Sequence, residues 1–187
     1  MNLFPAQFPY APPYRGTDGS IALNSTGVND ILWRYDSGGV WMAGRQVKIE
    51  FLQGTYVSDN IVKPKSCNCW FRDFSAVTEI LNLDHFNTAG VTNMVYMFAF
   101  CRSITHLDLT TFITNNVTNM SSMFEGCTSL TYLDLSSFDM SNVSNTTDMF
   151  EGCTKVTTAY CRTRADKAIL DAACQQSGVN WRFTVKS

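Results

Sequence analysis

Charge is scarce in this 187-residue chain: Asp, Glu, Lys and Arg together make up 16% of it, against 45% apolar residues. Such a balance excludes a disordered polyelectrolyte and leaves room for one domain with a sizeable core. No run of 18 apolar residues exists, so the sequence offers no membrane-spanning helix. The opening MNLFPAQFPYAPPYRG has no basic start and no continuous apolar stretch, and does not read as a secretory signal. Glycine-rich phosphate loops are lacking, and two histidines with a Cys67-Asn-Cys69 pair do not give the spacing of a zinc finger. With serine abundant by composition, a Ser/His/acid set has no orienting constellation to pick out, so no catalytic residue, metal or cofactor is expected. Proline is nearly absent after residue 20: Pro5, Pro9, Pro12 and Pro13 are four of the five in the chain.

What charge there is falls unevenly. Residues 73–154 hold nine acids and the single base Arg102, for a net −8. The two flanks are basic, at +2 for residues 1–72 and +4 for residues 155–187. An acidic centre repels phosphate backbones, so nucleic acid is not an expected partner.

Seven cysteines suggest a disulfide scaffold until their spacing is read. Cys101, Cys127 and Cys153 recur every 26 residues, which marks a repeat position. Repeating units stack about 5 Å apart, so one column of buried thiols is the expected arrangement. Cys67, Cys69, Cys161 and Cys174 lie outside that column, where one bridge is possible; the odd total leaves at least one thiol free in a monomer.

Aligning Met97-Phe98, Met123-Phe124 and Met149-Phe150 brings the following residues into register with the same period of 26. A degenerate earlier copy starts at Trp70-Phe71, carries Phe74 in place of the cysteine, and holds one extra residue near Asn82. Each unit contains two patterns. Ile104, Leu107 and Leu109, like Leu130, Leu133 and Leu135, alternate with polar residues as a half-buried strand does. Val117, Met120, Met123 and Phe124 fall at the spacing of one helical face, with Asn93, Asn119 and Asn145 placed to cap such helices and Gly126 and Gly152 to end them. The expected fold is α/β: a short leucine-rich-repeat solenoid of about 26-residue strand-plus-short-helix units with a parallel sheet on its concave side.

The flanks suit mixed α/β caps. Residues 163–178 read as a helix with a capping-box start at Thr163 and Asp166 and a stop at Gly178; Val179, Trp181, Phe183 and Val185 then alternate as a strand. Val47, Ile49 and Phe51 do the same upstream. The organisation read from sequence is an extended arm over 1–20, an N-terminal cap over 21–69, repeats over 70–160 and a C-terminal cap over 161–187, all in one structural domain.

The unit LTYLDLSSFDMSNVSNTTDMFEGCTKV closely resembles the repeat of the BspA-like leucine-rich family of bacterial surface proteins. The resemblance covers roughly residues 67–165 and leaves residues 1–20 unmatched. It implies extracellular-facing, often adhesive, non-enzymatic roles, and brings no catalytic residues with it. The partner it implies is a protein or glycan on a host or neighbouring surface.

Outward positions of the expected concave strands are His106, Asp108 and Thr110 in one unit and Tyr132, Asp134 and Ser136 in the next. They form either a ligand face or simply a soluble strand face built from Thr, Ser and Asp. Tyr132 and His106 interrupt the polar monotony, and tyrosine is a frequent interface anchor. Asp108 and Asp134 on adjacent strands lack the further oxygen ligands that calcium requires. The arm joins its four prolines to Phe4, Phe8, Tyr10 and Tyr14, a composition that is neither helix nor central strand. It packs on its own cap or docks into a sister subunit, and the second alternative gives a structural or decoration subunit of a phage virion or other assembly.

Overall fold

The computed structural model describes residues 21–24, 48–52, 66–81, 83–85 and 87–187. Three parallel strands open the chain: β1 (Ile21–Asn24), β2 (Lys48–Leu52) and β3 (Glu79–Leu81), paired in that order. A second parallel sheet closes it, from β4 (Tyr132–Leu135) through β5 (Thr158–Cys161) to the two-residue β6 (Thr184–Val185). Helix α1 (Arg164–Gln176) connects the last two strands.

Between the sheets the chain advances in units of the sequence period. Tyr132 pairs with Thr158 and Asp134 with Tyr160, each one period on. Asn93 bridges Asn119, which in turn bridges Asn145. Inside, Phe71, Phe98, Phe124 and Phe150 stack ring on ring at 5.2, 5.7 and 6.0 Å, with planes within 7° of parallel. Phe112 and Phe138 form a second column at 6.1 Å. The stacked rings are all buried, so aromatic faces cover one another from unit to unit.

Cys101, Cys127 and Cys153 lie fully buried beside the first aromatic column. Each thiol donates to a carbonyl one unit back: Cys101 to Phe71 at 3.0 Å, Cys127 to Phe98 at 3.2 Å and Cys153 to Phe124 at 3.0 Å. Burial pushes the Cys101 thiol far up, while for Cys127 the contact with Cys153 comes first and burial second. Cys67, Cys69, Cys161 and Cys174 are free as well, so none of the seven is bridged.

The short helix expected in each unit is absent; the described segments are runs of tight turns. Along residues 94–101 and 120–127, alternate N–H groups point in different directions. Met123 and Cys127 bond back three residues, to Met120 and Phe124, whereas Ser122, Phe124 and Gly126 donate to Thr147, Met149 and Glu151 of the next unit. That alternation requires left-handed backbone at Tyr96, Ser122 and Asp148 (φ 56, 54 and 55°), which no α-helix contains. Met120, Met123 and Phe124 still face inward, so their spacing was a true signal of burial but not of a helical path. The helix-start asparagines make local turns instead. Asn93, Asn119 and Asn145 accept from the N–H two residues on, at 2.9, 3.0 and 3.0 Å.

At the C-terminal end, Thr163 caps α1: its hydroxyl accepts from the Asp166 N–H at 3.1 Å and donates to the Asp166 carboxylate at 2.6 Å. Gly178 leaves the helix at φ 70°. The strand expected over 179–185 is shorter than its alternation suggests, since only Thr184 and Val185 join the ladder. Upstream of them, Trp181 donates from its indole to the Cys153 carbonyl at 2.6 Å, and the Phe183 N–H donates to Asp171 at 2.9 Å. Those bonds draw the chain across the end of the stack, where Trp181 and Phe183 lie 5.1 and 5.7 Å from the ring of Phe150.

Candidate functional site

The strand segments turn alternate residues outward, and two regions of that outward side carry chemistry. The first is centred on β4 and β5. Tyr132 and Tyr160 meet edge to face at 6.1 Å. Beside them Asp134 accepts from the Ser136 N–H at 2.9 Å, from the Tyr132 hydroxyl at 3.4 Å and from Lys186 at 2.5 Å. Burial works to raise the Asp134 carboxyl, but Lys186 and Ser136 outweigh it and hold it below the usual carboxylate range. The same contact raises Lys186, and burial followed by the neighbouring Asp134 charge raises Tyr132. The patch is therefore two aromatic rings beside a neutralised ion pair. It can stack and hydrogen-bond a partner without presenting net charge.

The second region lies one unit earlier. His106, Asp108 and Thr110 are exposed. The Thr110 N–H and hydroxyl both donate to Asp108, at 3.1 and 2.6 Å, and these bonds lower its carboxyl. Residues 104–109 do not form a ladder strand, although Ile104, Leu107 and Leu109 are buried as their spacing required. Between them and β3 a cleft of about 740 Å³ opens, with His106 and Asp108 on one wall and Glu79 and Asp84 on the other.

Thus Tyr132, Asp134 and Ser136 come together, while His106 and Asp108 line the neighbouring cleft. Reading by residue type missed Tyr160, Lys186, Glu79 and Asp84. Tyr160 was within reach, because the period places it one unit after Asp134. Lys186 arrives from outside the repeat and carried no such signal. The arm residues Phe4, Phe8, Tyr10 and Tyr14 lie outside the described residues. Among those described, no three His, Cys, Asp or Glu side chains gather as metal ligands, and no helix is long and apolar enough to cross a membrane.

These features define a stack of similar units with a polar, partly aromatic outward side. The chain belongs to the family described as Mycoplasma protein of unknown function, DUF285, whose model matches residues 65–164. Neither the curated proteins nor the solved structures contain a match.

Proposed function

We propose that the chain is a non-enzymatic recognition module, a short leucine-rich-repeat solenoid of BspA-like type that faces the cell exterior and binds a protein or glycan on another surface. The observation that carries this reading is the Tyr132–Tyr160 pair beside the Asp134–Lys186 ion pair on the outward side of β4 and β5. Both tyrosines are half-buried, so their rings are held before a partner arrives and little rotamer freedom remains to be lost on binding. The resemblance of the repeat to surface-protein units supports the same reading.

The test is a screen of the full chain against immobilised glycans and extracellular-matrix proteins, followed by Tyr132→Ala and Tyr160→Ala. Either substitution is expected to weaken capture about tenfold, equivalent to about 1.4 kcal/mol, with the urea midpoint nearly unchanged. Unaltered capture accompanied by a fall in stability would show that the two rings serve packing alone.

A further inference from the structure

The outward side of β4 and β5 is a small grid of side chains. The register sets Tyr132 beside Thr158, Asp134 beside Tyr160 and Tyr160 beside Thr184, so hydroxyls flank Tyr160 along its own strand and across to β6. The two tyrosine rings meet at 62°, which makes a corner with one ring as floor and the other as wall. The Lys186 side chain is 45% exposed and that of Asp134 only 7%. A partner therefore meets the ammonium and the rings, while the carboxylate beneath holds Lys186 and Tyr132 in place.

We propose that this corner binds a neutral saccharide of a glycan, with one pyranose ring stacked on a tyrosine. The proposal rests on the reading of the outward side as the binding side and names the ligand class of that same site. A pyranose has a face of C–H groups and a rim of hydroxyls. The C–H face packs on the electron-rich face of an aromatic ring, and the hydroxyls exchange hydrogen bonds with a few polar groups set beside it. An ammonium has three N–H groups, so Lys186 can serve Asp134 and still donate to a sugar oxygen. The threonine hydroxyls can both donate and accept.

Two features select this ligand. The first is charge. Lys186 is met by Asp134, Arg162 by Asp139 and Asp166, and Arg182 is turned to the Val179 and Trp181 carbonyls. These cations are engaged, and the exposed Asp108 one unit earlier, with His106 beside it, opposes an acidic sugar at the border. The second is the lack of aliphatic surface. A protein partner is anchored by large side chains that enter a dry pocket. Around the tyrosines stand instead Ser136, Thr158 and Thr184, and the large apolar side chain left exposed among the described residues, Ile113, lies beyond the strand segments.

Fetuin supplies one polypeptide in three forms for the experiment: sialylated, desialylated to galactose-ended chains, and enzymatically stripped of its chains. Invertase with mannose-rich chains, and the same protein stripped, is the second probe. The full chain is immobilised and binding is followed by interferometry at physiological salt. At least one of the two neutral glycoforms is expected to bind, about tenfold or more tighter than sialylated fetuin, and the stripped polypeptides not at all. Excess free lactose or methyl mannoside, matched to the bound probe, should displace it. Tyr160→Phe keeps the ring and should stay within about threefold of the parent, whereas Tyr160→Leu keeps apolar bulk without an aromatic face and should bind about tenfold more weakly. Circular dichroism checks the fold of both; if either variant does not fold, displacement by the free sugar decides. Equal binding of the stripped polypeptides, preference for the sialylated form, no displacement by free sugar, full binding by Tyr160→Leu, or binding to none of the probes would overturn the proposal. If matrix-protein capture is then still lost with Tyr132→Ala or Tyr160→Ala, the saccharide is removed and the recognition module stands. Capture unchanged by those alanines, with stability lowered, removes both.

Discussion

Gly126 sits where the chain leaves one unit's run of turns, at φ 69°, and the equivalent place one unit earlier is held by Phe100, also left-handed at φ 61°. A Cβ added to Gly126 would come 2.5 Å from a ring carbon of Phe100, whereas at Gly90 (φ 84°) the same atom would meet nothing within 4 Å. The two glycines therefore separate backbone strain from steric overlap. Gly90→Ala should cost about 1 kcal/mol, the price of left-handed geometry alone. Gly126→Ala should cost about 2–3 kcal/mol because overpacking is added to it. Urea denaturation measures both. Adding Phe100→Ala to Gly126→Ala should return part of the difference. If the two alanine variants prove equally stable, the ring is not confined over Gly126 and the aromatic–arginine cluster around it is loose. A repeat thus tolerates an aromatic in a glycine position only because the next unit keeps its glycine.

The start of α1 concentrates more polar contacts than any repeat unit needs. Asp166 is buried, and it accepts from the Thr163 hydroxyl, from Arg162 at 3.0 Å and from the Met140 N–H at 3.0 Å. Burial alone would raise its carboxyl; the bonds from Arg162, Thr163 and Met140 outweigh that and lower it. A carboxyl depressed in the folded state contributes stability that is complete above its unfolded value, about 3.9, and is lost as pH falls through the lower folded value. Asp134 and Asp139 are depressed too and add in the same direction. Stability should therefore be level from about pH 5 to about pH 8 and decline below about pH 4. Asp166→Ala should destabilise by about 2–3 kcal/mol at neutral pH and flatten the acid decline, as urea titrations at several pH values would reveal. An acid limb as steep as in the parent chain would mean that Asp166 is not the coupled group. This helix was legible in the sequence because its cap, acid and glycine stop are local signals. The turn runs of the repeat were not, since apolar residues three and four apart are required equally by a helix and by turns that bond to the next unit. The strand over 179–185 was overstated for a related reason: alternation records which residues are buried, while the Trp181 and Asp171 bonds decide where the backbone goes. Within the candidate site, positions fixed by the period were readable and the contact from Lys186 was not.

In the molecule as a whole, each unit touches chiefly the units before and after it, so an uncovered end has an apolar face and unpaired backbone groups. The last aromatic of the column, Phe150, is covered by Trp181 and Phe183, and the buried Phe150 backbone is tied down by a bond from its N–H to the Ser177 hydroxyl at 3.1 Å. Trp181 also satisfies the Cys153 carbonyl. Its removal would open both contacts at a place where no further unit follows among the described residues. Trp181→Ala should cost about 3–5 kcal/mol, the range for large aromatics cut to alanine. The location of the loss is the sharper expectation. With nearest-neighbour coupling, the end unit frays before the interior does. Native-state hydrogen exchange should accelerate first at the Phe124, Gly126 and Cys153 amides, which bond in or across the last interface, while Phe71 and Phe98, which donate to Met97 and Met123, keep most of their protection. A uniform loss of protection along the chain would show instead that the stack unfolds as one unit, and that its short length makes both ends part of a single cooperative core.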